Sequence, residues 1–152
     1  VSTLTVLMGI PGSGKSTFAA TWTTGRVVSA DDVRLEGAAG AATLARLHRQ
    51  ARRLLVAGHD VTVDACSTQA PRRVEWLALA AELDVPTRLI LFPVAADVAQ
   101  KRNATRPRDE RVPWPAVQKY IRQWPAAVAA ARAEPWGEVI DATAVRVTSG
   151  VW

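Results

Sequence analysis

Residues 3–17 constrain everything that follows them. An apolar run, Thr3-Leu4-Thr5-Val6-Leu7-Met8, leads directly into Gly9-Ile10-Pro11-Gly12-Ser13-Gly14-Lys15-Ser16-Thr17. The run reads as a buried strand, and Lys15 to Trp22 reads as the helix that the loop feeds. Between them stand a glycine, four residues and Gly-Lys-Ser, with Gly9, Gly14, Lys15 and Ser16 at the fixed positions of a phosphate-binding loop. Gly12 and Gly14 allow backbone angles that turn successive N–H groups toward an anion, with no Cβ to hold phosphates off. Lys15 adds a point charge for the β- and γ-phosphates, Ser16 offers a hydroxyl to Mg²⁺, and the helix N-terminus directs its positive end at the same place. Gly-Ser-Gly is also an ordinary turn, but strand, loop and helix in this order point to binding of ATP or another NTP.

At 152 residues the chain reads most simply as one domain, residues 1–152. Cys66 is the sole cysteine, which excludes an intramolecular disulfide and a cysteine-rich zinc site and fits a reducing cytosol. No apolar run approaches a membrane span, and the first strand enters the phosphate loop rather than a cleavage site, so a cytoplasmic protein without a membrane partner is expected. The net charge of +5, carried mostly by arginine, favours polyanionic partners. Arginines on solvated helix faces account for it equally well.

Further along, Arg26 to Ala30 reads as a second strand that delivers Asp31-Asp32-Val33-Arg34 to its carboxyl end, where open α/β sheets bind ligands. Gly37-Ala38-Ala39-Gly40 reads as a flexible connection. Thr43 to Ala57 reads as a helix with Leu44, Leu47, Ala51, Leu54 and Leu55 on one face and Arg46, Arg49 and Arg53 on another. Asp60 to Asp64 is a third strand ending in a carboxylate. A helix from Pro71 to about Leu83 follows, with Val74, Leu77 and Ala81 expected on its buried face. Thr87 to Phe92 is a fourth, almost continuously apolar strand. A helix from Val94 to Arg106 places Arg102 and Arg106 on one face, and Pro107 stops it. The charged segment Arg106 to Arg111 is expected to be mobile when empty. Two helices, around Pro113–Trp124 and Pro125–Ala133, precede a fifth strand at Glu138–Asp141; Val145 to Trp152 reads as an edge strand or a tail. Alternating strands and helices predict an α/β fold in three layers, with a central parallel sheet of about five strands and a helical lid at about residues 102–113.

With these residues in hand, the chain resembles the polynucleotide 5′-kinases of the bacteriophage type, P-loop kinases, over nearly its whole length and in their kinase part only. The family's loop, its Asp-Asp-x-Arg quartet, its lone third-strand Asp and its Arg-Asn-x-x-Arg lid read here as Gly9–Thr17, Asp31–Arg34, Asp64 and Arg102–Arg106. The resemblance implies an ATP-dependent transfer of the γ-phosphate to a 5′-hydroxyl end of DNA or RNA. It assigns Asp31 as general base, Arg34 to the acceptor phosphate, Lys15 and Arg106 to the transferring phosphates, and Ser16 to Mg²⁺. Pro11, Ser13, Thr17 and Arg102 join the nucleotide-binding set, and Asp64 lines the acceptor side. The family often follows that Asp with Thr-Asn; this chain has Ala65-Cys66-Ser67-Thr68, a departure that bears on acceptor recognition.

Plainer readings stand beside these. Asp31, Asp32 and Asp64 can cap helices, and Arg102 can complement a helix dipole. Trp114 and Trp124 can stack on a base or simply pack. Cys66 reads as a small packed side chain, and neither His48 nor His59 reads as a ligand. Two other functions share the motifs: a kinase of the same fold acting on a modified DNA base, a nucleoside or a small metabolite, and a nucleotide switch or single-strand binding module without acceptor chemistry.

Overall fold

The computed structural model describes residues 2–22, 25–35, 37 and 40–143, without the side chains of residues 22, 34 and 35. The segment from Val145 to Trp152, and residues 38 and 39 of the glycine-rich connection, lie outside the described residues. Five strands, β1 (Leu4–Met8), β2 (Arg26–Ser29), β3 (Val61–Asp64), β4 (Thr87–Leu91) and β5 (Glu138–Asp141), form one parallel sheet in the order β2-β3-β1-β4-β5. Leu4 of β1 sits opposite Val61 on one side and Thr87 on the other, so this strand is central. A central parallel strand is covered on both faces and is mostly apolar; Thr5 is the one polar residue of β1, and all five of its residues are buried.

The side chains of β1 alternate between two cores. Leu4, Val6 and Met8 join the larger one, with Leu47, Ala51 and Leu55 of α3 (Ala41–Val56), Trp76, Leu79 and Ala80 of α4 (Ala70–Leu83) and Ala131 of α6 (Trp114–Arg132). Leu7 joins the smaller, with Phe18 and Ala19 of α1 (Lys15–Trp22) and Ile90 and Phe92. The Phe18 and Phe92 rings meet edge to face, with centroids 5.0 Å apart. Helices on both faces of a parallel sheet give the three layers expected. The order reverses at β1, which leaves a crevice at its carboxyl end where the phosphate loop begins.

Three local expectations change. The fully buried residues of α4 are Arg73, Trp76, Leu79 and Ala80; of Val74, Leu77 and Ala81, Leu77 is half-buried against the larger core, while Ala81 is exposed and Val74 is 53% exposed. Apolar spacing misplaces this face because it cannot anticipate a buried arginine. The two helices expected around Pro125 are one helix, α6, with the proline inside it. Pro125 is exposed, where water can serve the carbonyl that loses its helical donor. Finally, α5 (Ala96–Ala104) ends before Arg106, whose N–H turns back to the carbonyl of Asn103 at 3.2 Å.

Candidate active site

The phosphate loop is shaped by what surrounds it. Gly12 and Gly14 have φ of 84° and 93°, in the region that favours glycine. A Cβ at Gly12 would stand 2.7 Å from the Ala99 carbonyl oxygen of α5, so the loop lies directly against that helix. Lys15 is buried, and its ammonium donates to the carbonyls of Gly9 (2.9 Å) and Ile10 (3.2 Å) and to Ser13 Oγ (3.4 Å). Its three donors therefore hold the cation over the cradle. Arg102 Nη1 donates to the Gly12 carbonyl at 3.2 Å, and Arg102 and Arg106 close a cavity of about 300 Å³ over Gly12 to Thr17.

Across the crevice, Asp64 ends β3 and accepts a 2.9 Å hydrogen bond from Ser16 Oγ. Burial pushes its carboxyl above the usual carboxylate range; the Ser16 hydrogen bond and Lys15 oppose this, while Asp31 and Asp32 reinforce it. Asp31 and Asp32 occupy the first turn of α2 (Ala30–Leu35) and are exposed. Arg34 lies one turn on in the same helix, and its side chain lies outside the described residues. Lys15, Ser16, Asp31, Asp64 and Arg106 together line one chamber of about 310 Å³, with Pro11, Cys66 and Tyr120 also in its wall. The chamber adjoins an outer cleft of about 780 Å³, lined by Asp31, Asp32, Asp64 and Arg106 and by Asp109 and Glu110 beyond α5.

The lid segment is a closed loop. Asn103 donates from Nδ2 to the Val112 carbonyl at 2.7 Å and accepts the Val112 N–H at 2.9 Å, and Arg111 Nε donates to the Arg106 carbonyl at 2.8 Å. A short 3-10 helix, Arg108–Glu110, lies between. Asn103 and Val112 thereby close the loop that carries Arg106 beyond the end of α5.

The donor set suits Mg²⁺, which takes oxygen ligands, keeps several waters and is usually bound by one or two carboxylates plus substrate phosphates. Ser16 Oγ and Asp64 Oδ2, 2.9 Å apart beside the phosphate loop, supply hard oxygens of that kind. Among the described residues no group of three or more His, Cys, Asp or Glu side chains forms a cage for a metal.

Sequence reasoning misses the device that sets the loop after β3. Arg73 is fully buried; its Nε and Nη2 pair with Glu134 at 2.8 and 3.0 Å, and its Nη1 donates to the Ser67 carbonyl at 3.1 Å. Trp136 Nε1 donates to the same Glu134 at 3.0 Å. Ser67 is held at φ 55°, a cost for a non-glycine residue that the surrounding bonds must offset. On its other side the loop is tied to the phosphate loop, since the Gly9 N–H donates to the Cys66 carbonyl at 3.0 Å. The charged partner of Arg73, Glu134, lies 61 residues away along the chain, beyond the reach of local pattern.

A family model described as "AAA domain" matches residues 4–131. No curated protein matches the chain at the sequence level. Among solved structures, a chain of the Pnkp1/Rnl/Hen1 RNA repair complex is similar, with TM-score 0.72 and 22% identity over 85% of this chain and 46% of that one. Kti12 of Chaetomium thermophilum in complex with ADP-AlF3 follows at TM-score 0.62 and 19% identity, covering 79% of each chain. The APS kinase CysC of Mycobacterium tuberculosis, in complex with AMPPNP and APS, gives 0.57 and 18% over 82% of this chain and 98% of that one. At these identities the likeness is one of fold. The chain spans less than half the length of the repair-complex protein it matches.

Proposed function

The chain belongs to the AAA domain family and has the P-loop kinase fold, and from that premise we propose an ATP-dependent kinase that moves the γ-phosphate onto a 5′-hydroxyl end of DNA or RNA. The observation that carries this reading is the single chamber walled by Lys15, Ser16, Asp31, Asp64 and Arg106. Phosphoryl transfer needs in-line positioning and cover for charge on the transferring oxygens more than covalent help from the protein. The loop N–H groups and Lys15 hold the donor phosphates, and Arg106 covers the charge that develops during transfer. Asp31 orients the acceptor hydroxyl and takes its proton. Arg34, one turn from Asp31, grips the acceptor's neighbouring phosphate. Ser16 and Asp64 are the residues that would hold Mg²⁺, which when bound supplies further neutralisation of the phosphates.

One observation favours a second acceptor class. The outer cleft is lined by Asp31, Asp32, Asp64, Asp109 and Glu110 against Arg106, a charge balance that repels a polyanionic backbone. A kinase of the same chemistry acting on a nucleoside, a modified base or a small metabolite meets less of that repulsion. The test is transfer of labelled γ-phosphate by wild type and Asp31→Asn, with ATP binding measured alongside. Loss of about 10²-fold or more in turnover with ATP binding retained supports the assignment. Wild-type turnover in the variant overturns it.

A further inference from the structure

The segment that carries Arg106 is tied down at both ends. On one side α5 is seated on the phosphate loop, where Arg102 Nη1 donates to the Gly12 carbonyl at 3.2 Å and the Ala99 carbonyl leaves no room for a Cβ at Gly12. On the other side Asn103, the residue after Arg102, reaches nine positions along the chain to Val112. Its side chain is 7% exposed and meets both backbone groups of that one residue, donating from Nδ2 to the carbonyl at 2.7 Å and accepting the N–H at 2.9 Å. A carboxamide carries donor and acceptor side by side; a carboxylate, acceptor only, or an ammonium, donor only, would not hold both groups. Between the anchors the chain is bonded to itself. The Arg106 N–H donates to the Asn103 carbonyl at 3.2 Å, the Glu110 N–H to the Pro107 carbonyl at 2.9 Å, and Arg111 Nε to the Arg106 carbonyl at 2.8 Å. Arg106 is half-buried and lines three cavities: the one over the phosphate loop, the chamber and the outer cleft. Val112 lines the last two as well.

We propose that Asn103 is a positioning residue for the transfer step: its clamp on Val112 holds the loop 104–111 so that Arg106 stands over the transferring phosphate before the substrates arrive. The inference rests on the phosphotransferase reading above and deepens it. Charge cover in phosphoryl transfer works through geometry set in advance, and a displacement of about 1 Å can cost on the order of 10²-fold in rate. An arginine past the end of its helix has no helical ladder to order its backbone, so the entropy of ordering it is met by whatever ties the loop. Among those ties the buried one is Asn103; Arg111 is exposed, and water competes for its bond. Because the amide bonds a residue nine positions on, the clamp acts on the loop that carries Arg106.

The experiment is a double-mutant cycle on the transfer of labelled γ-phosphate, with wild type, Asn103→Ala, Arg106→Ala and the double variant. Val112 is half-buried, so water reaches the groups that Asn103→Ala frees, and a melting curve checks that the variant folds. Asn103→Asp runs beside the cycle; it keeps the size of the side chain and the acceptor for the Val112 N–H but sets a carboxylate oxygen against the Val112 carbonyl. The expected result is a fall in kcat of about 10²-fold in Asn103→Ala and a similar fall in Asn103→Asp, with KM for ATP unchanged within about threefold. In the Arg106→Ala background the Asn103→Ala change costs less than about threefold, because the group it positions is gone. A side chain that only supports the fold costs the same factor in both backgrounds. That result, wild-type kcat in Asn103→Ala, or a raised KM for ATP with kcat intact overturns the proposal. The same cycle is read on the affinity for ADP with aluminium fluoride relative to AMPPNP, the fluoride standing in for the transferring phosphoryl group. Should wild type transfer phosphate to no acceptor, the kinase reading fails, and this second cycle decides the clamp by itself. A loss of that preference of about tenfold in Asn103→Ala that vanishes without Arg106 supports the clamp, and an equal loss in both backgrounds, or none, overturns it.

Discussion

The two halves of the site are built in different ways. The donor half is contiguous: Gly9 to Thr17 form the loop after β1 and the start of α1 within nine residues, and Lys15 is held by oxygens no more than six residues away. The half proposed to take the acceptor is assembled from distant pieces. Its loop after β3 depends on a buried ion pair between α4 and Glu134 just beyond α6, on the backbone of Gly9, and on walls from α3 and Tyr120 of α6. A half that is local in sequence keeps its chemistry when the surrounding fold varies. A half made of long-range contacts can change what it binds by changing packing.

The sharpest way to break this division is Arg106→Ala, which acts where the halves meet. Turnover is expected to fall on the order of 10³-fold or more with ATP binding retained, read by single-turnover transfer and nucleotide titration. Unchanged turnover would remove Arg106 from the lid assignment. Next in size is Glu134→Gln, which leaves the buried Arg73 guanidinium without its charged partner. Breaking such a pair costs about 3 kcal/mol in denaturant unfolding, and the surviving folded fraction is expected to show a raised acceptor KM with little change in KM for ATP. Equal losses on both substrates would mean that the loop serves both halves.

A smaller effect of opposite sign is expected at Asp64. Its raised carboxyl means that stability present below the unfolded carboxylate pKa is lost as pH rises through the folded value, so at neutral pH the fold carries the charge at a cost. Asp64→Asn is therefore expected to raise Tm at pH 7, by a margin that shrinks as pH falls through the carboxylate range, while transfer activity drops. A lower Tm across that range would show that the carboxylate stabilises the free protein. Least is expected at His48, which stacks on Trp76 with centroids 3.8 Å apart and whose pKa burial lowers. Glu75 lies 3.8 Å from Nε2, too far for a hydrogen bond, and the neutral ring forms no ion pair at pH 7. Stability present above the unfolded value near 6.5 is lost as pH falls through the folded one, and His48→Gln is expected to flatten that slope slightly in pH-dependent melts.

The same division governs what the sequence reveals. Gly9 to Thr17, the carboxylate at the end of β3 and the Asp31 turn were legible because each sits at a strand end followed by a helix, a local signal. Arg102 and Arg106 were legible as a pair, although Arg106 proves to lie past the end of α5. The buried face of α4 was not, because Arg73 occupies a core position only through a partner that no local pattern reveals. Nor was the continuity of α6, since a proline reads as a break unless its exposure is known.

The most direct test of the division is transfer of labelled γ-phosphate from ATP with Mg²⁺, offered in parallel to 5′-hydroxyl DNA and RNA, nucleosides and hydroxymethyluracil-containing DNA, in wild type and Asp31→Asn. Label on a hydroxyl acceptor that disappears in the variant, with ATP binding intact in both, is the expected result, and the acceptor that carries it names the class the distant half selects. Slow loss of ATP with no label on any acceptor would contradict the kinase reading and leave a nucleotide-dependent switch in its place.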